Sequence, residues 1–434
     1  MPCPAAGPGP MPGKTSGIGV DFIMLHMDTT MNRIASFLLC TWVCLLSAGP
    51  AFADPLKDLN LGGDAYEAKH YEKALQHYLA ACNAKLAEAC YMAAAIHSQG
   101  QGVPANPDKA FHYLRLACDW GHAAACFNVA VLYMRGEGVK ADGREAFRHF
   151  SRACDLNDAD ACFNVGMAYK DQIGVTYREF DKEKMRAAFL KACDLKHGEA
   201  CLKACLPSDC NAMIEAELAR RSCDNGHGDG CGRLGRMYYG GSHFDKDIRR
   251  AFELSRRGCD LGSGEACGWL AWQYLEGKGV TRDVASALTL YRKACSLGQA
   301  EDCLQLGKFY ETGKHVKAHP AEAVGFYARA CELSPNFDDG CHNLARHLVL
   351  GKGIERDVPR AVKLFEHACW SADQLAWSCN ELGLLYLNGN GVAKDLDLAE
   401  KHFKQACILG KYKHVGYDDG CKNSRRLKRQ QDTE

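Results

Sequence analysis

Between Cys267 and Cys295 the apolar residues fall on two stripes of helical spacing, separated by a pair of glycines. Leu270, Ala271 and Tyr274 stand at i, i+1 and i+4, which predicts one amphipathic helix, A. Gly277-Lys278-Gly279-Val280 ends it, since glycine accepts the left-handed conformation that closes a helix. Asp283 stands where a side chain would cap a second helix, B, whose apolar face is Ala287, Leu288, Tyr291 and Ala294. The same stop recurs at Gly100-Gln101-Gly102-Val103, Gly136-Glu137-Gly138-Val139, Gly351-Lys352-Gly353-Ile354 and Gly389-Asn390-Gly391-Val392, and Asp142, Asp357 and Asp395 repeat the cap. Four residues after the cysteine that opens each A helix, the side chain is small: Ala130, Gly166, Gly235, Ala271, Gly307, Ala345 and Gly383. Seven residues after it stands a tyrosine in most units: Tyr133, Tyr169, Tyr238, Tyr274, Tyr310 and Tyr386.

A helix pair of this size cannot bury its own apolar face, so neighbouring pairs must stack. The predicted fold is therefore all-α, a helix-turn-helix repeat solenoid of about ten units with a concave inner surface. The length of 434 residues needs no single large core in such an array.

The cysteines carry the period. In sequence Cys82 is answered by Cys90, Cys118 by Cys126, Cys154 by Cys162, Cys193 by Cys201, Cys223 by Cys231, Cys259 by Cys267 and Cys295 by Cys303. The spacing is wider from Cys331 to Cys341, from Cys369 to Cys379 and from Cys407 to Cys421. The first member ends a B helix and the second lies in the first turn of the next A helix, within disulfide reach across a tight turn. Seven intervening residues fit zinc ligation poorly, because zinc sites favour cysteines two to four apart. The expectation is a disulfide at every junction between repeats, with neither metal nor cofactor. The fifth repeat departs from the rule. Only 22 positions separate Cys201 from Cys223, the glycine stop is missing, Pro207 would cut the A helix short, and Cys205 and Cys210 form an extra pair. That pair reads as a staple for a shortened loop, or as a redox pair lacking a neighbouring His or Lys.

Charge changes the picture little: 53 Lys plus Arg balance 53 Asp plus Glu, which speaks against a nucleic-acid partner. Twenty-five cysteines imply an oxidising compartment. Met31-Asn32-Arg33, the apolar run 34–49 and Ala51-Phe52-Ala53 read as a signal peptide cleaved before Asp54, too short to span a membrane. The predicted layout is a leader or untranslated extension over 1–30, a signal peptide over 31–53, repeats one to four over 54–197 and an irregular fifth repeat over 198–227. Repeats six to ten follow over 228–407, then a capping helix and basic tail over 408–434. The product is expected to be secreted or periplasmic and not membrane-spanning.

The 36-residue period, the Gly-x-Gly-Val stop, the small-x-x-Tyr core and the C-x7-C staple resemble the cysteine-rich Sel-one-like repeat family, as in the secreted Helicobacter cysteine-rich proteins. The resemblance implies a tetratricopeptide-like superhelix and a protein-binding role. It also implies the penicillin-binding or β-lactamase label often given to that family. For that label the residues offer neither Ser-x-x-Lys nor Lys-Thr-Gly. His315 and His319 run into Pro320 and read as a loop pair, not as zinc ligands.

Two functions are therefore open: a scaffold gripping a peptide or peptidoglycan fragment, and a weak β-lactam hydrolase. The scaffold is preferred. Its ligand is expected on a stripe two and five residues after each second cysteine, away from the core positions. That stripe offers Arg233 and Arg236, Trp269 and Trp272, Gln305 and Lys308, Asn343 and Arg346, with Asn128 and Asn164 in the N-terminal repeats. The alternative for Trp269 and Trp272 is plain filling of the space between repeats. The basic segment Lys422–Arg429 reads as a solvated end.

Overall fold

The computed structural model describes residues 54–176, 181–206, 210–241, 244–334, 338–370, 375–412 and 418–431. The expected extension and signal peptide lie outside them, as does Pro207. Helices are the only regular elements among the described residues.

The chain divides into two compact units at Asp209/Cys210, within the shortened segment between Cys201 and Cys223. The first unit holds α1 (Pro55–Glu67), α2 (Tyr71–Asn83), α3 (Ala87–Gln99), α4 (Pro107–Asp119), α5 (Ala123–Arg135), α6 (Gly143–Asp155), α7 (Ala159–Asp171), α8 (Lys182–Asp194) and the short α9 (Gly198–Lys203). The second begins with α10 (Ala212–Asp224), α11 (Gly228–Gly240), α12 (Ile248–Asp260), α13 (Gly264–Glu276), α14 (Val284–Ser296) and α15 (Ala300–Thr312). It continues with α16 (Pro320–Leu333), α17 (Asp338–Leu350), α18 (Val358–Trp370), α19 (Ala376–Asn388), α20 (Leu396–Tyr412) and α21 (Asp419–Gln431).

The local signals act as their chemistry requires. Gly277 caps α13 at φ +67°, and the Asp283 carboxylate accepts from the backbone N–H groups of Ala285 and Ser286 at the start of α14. Asp142 does the same for α6. The second glycine of the stop has a further duty. At Gly279 a Cβ would stand 2.5 Å from the Ile248 carbonyl oxygen, so the A–B loop sits directly on the first turn of the preceding B helix. The small residue on each A helix admits the B helix of its own repeat: a Cβ on Gly307 would enter the Tyr327 ring, and one on Gly383 the Phe403 ring. Some of the recurrent tyrosines lean on the repeat before, Tyr169 edge-on to Phe147 and Tyr274 edge-on to Phe252, while Tyr310 and Tyr386 stack on Phe326 and His402 of their own repeats.

The expected staples are all formed. In the first unit Cys82 is bonded to Cys90, Cys118 to Cys126, Cys154 to Cys162 and Cys193 to Cys201. In the second, Cys223 is bonded to Cys231, Cys259 to Cys267 and Cys295 to Cys303. The wider pairs close as well: Cys331 with Cys341, Cys369 with Cys379 and Cys407 with Cys421. Their Cα separations, 4.7, 4.9 and 4.4 Å, lie close to the 4.5 to 4.8 Å of the narrow pairs, so the longer spacing leaves the bonded cysteines equally near. The second cysteines Cys90, Cys126, Cys162, Cys201, Cys231, Cys267, Cys303 and Cys379 have no exposed surface, and Cys341 and Cys421 almost none, so each sulfur packs as part of the core. Cys205 and Cys210 are disulfide-bonded too.

A second, non-covalent latch accompanies some staples. His122 caps α5 by accepting from the Ala125 N–H, stacks on the Tyr91 ring, and reaches Glu88 one repeat back at 3.0 Å. Ser263 caps α13 and donates to Asp229, and His197 caps α9 while reaching Asp160 at 3.5 Å.

One core position breaks its own pattern. Six residues after the second cysteine stand Ile96, Leu132, Met237, Phe309 and Leu385; α17 carries His347, bonded to the Lys352 carbonyl, and α13 carries Gln273. It is fully buried, and neither amide atom of its side chain has a hydrogen-bond partner. A buried unpaired amide costs about 1–3 kcal/mol. Gln273→Met conserves volume and removes that cost. The variant should gain about 1–3 kcal/mol in urea unfolding, where an intended hydrogen-bonding role would show as a loss.

Candidate functional site

Adjacent A helices touch one another directly, α11 with α13 and α19 with α21 in the second unit. The stripe expected to meet a ligand lies on these helices, and its members meet different fates.

In the second unit the stripe is largely used up by its own neighbours. Trp269 stacks on Trp272 with centroids 4.6 Å apart, and Tyr239 from the preceding A helix stands edge-on to both at 5.3 Å. All three are half-buried, so the two tryptophans fill the space between α11 and α13. Arg236 is bonded to Glu265, Arg233 lies 3.6 Å from Glu215, and the Gln305 amide donates to Glu301 within its own helix. Lys308 and Asn343 are half-buried and Arg346 is exposed. Of the N-terminal pair, Asn164 is buried and its amide donates to the Asp160 carbonyl one turn back.

Asn128 differs. It lines a cavity of about 380 Å³ formed between α3, α4 and α5, inside the first unit. Ala94, Ala95, Ala110, Leu114 and Leu132 make its apolar walls, and Ser98, Gln99, Asn128 and Glu137 bring polar groups to it. Asn128 also hydrogen-bonds the hydroxyl of the buried Tyr91. The opening exists because α3 is poor in bulk. Five and eight residues after its cysteine it has Ala95 and Ser98, where α5 has Val131 and Met134 and α13 has Trp272 and Leu275. The Ala93-Ala94-Ala95 run was the signal available in the sequence, and a search for prominent side chains passes over it.

Serine and histidine do meet elsewhere. Ser378 Oγ lies 2.8 Å from His342 Nδ1, with Glu381 one turn on. Burial holds the His342 pKa down to about 3 and raises that of Glu381. Ser378 has no exposed surface, however, so the pair is a hydrogen bond between repeats and offers no reachable nucleophile. His319 caps α16 through the Glu322 N–H, while His315 stands in the loop against Phe309, so the two histidines do separate work. No cluster of three or more metal-ligating side chains occurs among the described residues, and none of their helices is long and apolar enough to cross a membrane.

One half-buried carboxyl is pushed toward neutrality. Asp302 occupies the place before the second cysteine that is Ala, Gly or Ser in the other repeats, and its oxygens fill the space left open by Gly268. Burial first, and Glu301 second, raise its pKa to about 7. A raised carboxyl favours the fold only while protonated. Its contribution is intact below about pH 4, where the unfolded group also holds its proton, and is lost as pH climbs to about 7. The histidines oppose it: His402, held down to about 4 by burial, costs stability as pH falls below its unfolded value. In chemical denaturation at pH 4.5 and pH 8, the stability difference between Asp302→Asn and the parent should therefore move toward the variant by on the order of 2–4 kcal/mol at the higher pH. An unchanged difference would show that Asp302 ionises freely.

The Sel1 repeat family matches residues 60–86, 87–122, 123–158, 159–197, 228–263, 264–299, 300–335, 338–369 and 378–411, leaving out the irregular segment between. A protective antigen of uropathogenic Escherichia coli with an SLR fold shares 22% identity, 87% of this chain, 80% of its own and a TM-score of 0.64. A Sel1 repeat protein from Oxalobacter formigenes shares 19% identity, 79% of this chain, 95% of its own and a TM-score of 0.52. Cysteine-rich protein B of Helicobacter pylori is 30% identical over 30% of this chain and 97% of its own, with a TM-score of 0.26. None of the curated proteins matches the chain. With its period, its glycine stops and the greater part of its length matched, the chain belongs to the Sel1 repeat family.

Proposed function

We propose that the protein is an exported binding scaffold that holds an extended peptide on its A-helix face, with an apolar side chain of the peptide seated in the cavity between α3 and α5. The cavity carries this reading: its apolar walls and few polar groups suit one anchoring side chain beside a polar backbone, and its volume matches a single residue and not a large cofactor. Sel1 repeat proteins are suited to protein–protein interaction, which is consistent with this reading. The disulfide at each junction fits a secreted or periplasmic setting, where thiols stay oxidised. A peptidoglycan fragment offers the same face sugar hydroxyls, for which the apolar walls are a poor match.

The test is selection of a random peptide library against the oxidised protein and, in parallel, against Ala95→Trp, which fills the cavity from a half-buried position on its wall. Selected peptides should share one apolar residue and bind the Trp variant at least about tenfold more weakly by calorimetry. Equal affinity for both proteins, or capture of muropeptides with no peptide enrichment, would refute the reading.

A further inference from the structure

The last helix, α21, packs one face on α19 and α20: Leu427 is buried beside Ala399 and Phe403, Cys421 is stapled to Cys407, and Asn423 donates to Asn380. Four cations, Lys422, Arg425, Arg426 and Arg429, stand at i, i+3, i+4 and i+7, and all are exposed. At 100° per residue they fall within one narrow stripe, opposite the stripe of Gly420, Ser424 and Leu427. Lys428 adds a fifth exposed cation, and residues 422–431 contain no acid. Asp419 lies 3.4 Å from Lys422 and Asp418 3.7 Å from Arg425, both on the exposed surface, where such pairs exchange readily. The chain's 53 basic and 53 acidic residues balance only with these five cations counted, and their concentration on one helix stands out.

We propose that this outer face of α21 docks the protein on an anionic phospholipid surface. The recognition is electrostatic. Four long, flexible cations spread along about 10 Å of straight helix match a field of headgroup phosphates. Nothing inserts, because Leu427, the one large aliphatic side chain of α21, is 2% exposed. A single-stranded nucleic acid is the poorer match, since α21 has no aromatic residue on which a base could stack. This docking is independent of the peptide site and rests on no residue of it.

The experiment is flotation of the oxidised protein with vesicles of phosphatidylcholine containing about 30% phosphatidylglycerol, against phosphatidylcholine alone. The parent should float only with the anionic vesicles, and about 0.5 M salt should release it. Each cation near such a surface is worth about fivefold in partitioning, so Lys422→Gln, Arg425→Gln, Arg426→Gln and Arg429→Gln together should weaken it about six-hundredfold. A control with the same change in net charge, Arg148→Gln, Lys184→Gln, Arg329→Gln and Lys363→Gln, should float like the parent. Circular dichroism and thermal midpoint verify that both variants fold. Absence of flotation, equal loss in the control, or binding of a DNA duplex without binding of vesicles would each overturn the proposal.

Discussion

Replacing Cys259 and Cys267 together with alanine should cost about 2.5 kcal/mol at the α12–α13 junction, by the chain-entropy relation for a loop of nine residues. The figure is large for this architecture because each repeat contacts only its neighbours, so the loss cannot be shared across the molecule. Both sulfurs are buried, and their packing adds to the entropy. Amide exchange in α12 and α13 should accelerate about fifty- to a hundredfold, while α18 and α19 change little. The matching variant at the chain's end, Cys407→Ala with Cys421→Ala, opens a longer loop but should free only α21, leaving exchange in α15 and α16 at parental rates. Uniform acceleration through the second unit in either variant would contradict a ladder of local staples.

Gly279→Ala should destabilise by about 2–4 kcal/mol, and Gly298→Ala by about 1 kcal/mol. Both glycines have positive φ, +79° and +95°, so the conformational penalty is shared. They differ in what lies beyond. A Cβ at Gly279 meets the Ile248 carbonyl oxygen of the preceding repeat at 2.5 Å, whereas one at Gly298 meets nothing within 4 Å. The chain itself indicates that the second position tolerates a side chain, since Lys85, Asn157 and Lys196 occupy its equivalents with positive φ. The difference between the two variants in guanidinium unfolding thus measures the close approach of loop to helix. Equal costs would mean that the loop can lift away from α12 without loss.

The repeat was legible because its signals are local and redundant: stop, cap, small residue and cysteine recur at fixed offsets, and each alone predicts the same helix pair. The cysteine pairing was legible for the same reason, down to Cys331 with Cys341 and Cys369 with Cys379, where the spacing drifts but the helix ends stay in register. The latches were missed because they join residues one repeat apart. His122 with Glu88 and Ser263 with Asp229 each look like ordinary exposed polar residues until the helices stack. The residues of the expected ligand stripe divide between packing and the cavity. Trp269 and Trp272 were prominent in sequence, but bulk on a crowded face fills space. The cavity opened at Ala95 and Ser98, where side chains are smallest, and only Asn128 of the expected residues lines it. Asn164, equivalent in sequence, turns onto its own helix. Absence of bulk is visible in a sequence only when the repeats are aligned by position.

Hydrogen exchange of the oxidised protein with and without a selected peptide tests the binding account most directly. Peptide occupying the cavity should slow exchange in α3 and α5, with residues 87–99 and 123–135 most protected, and Ala95→Trp should abolish the effect. Protection confined to the B helices, or centred on Trp269 and Trp272 with α3 unchanged, would contradict the account.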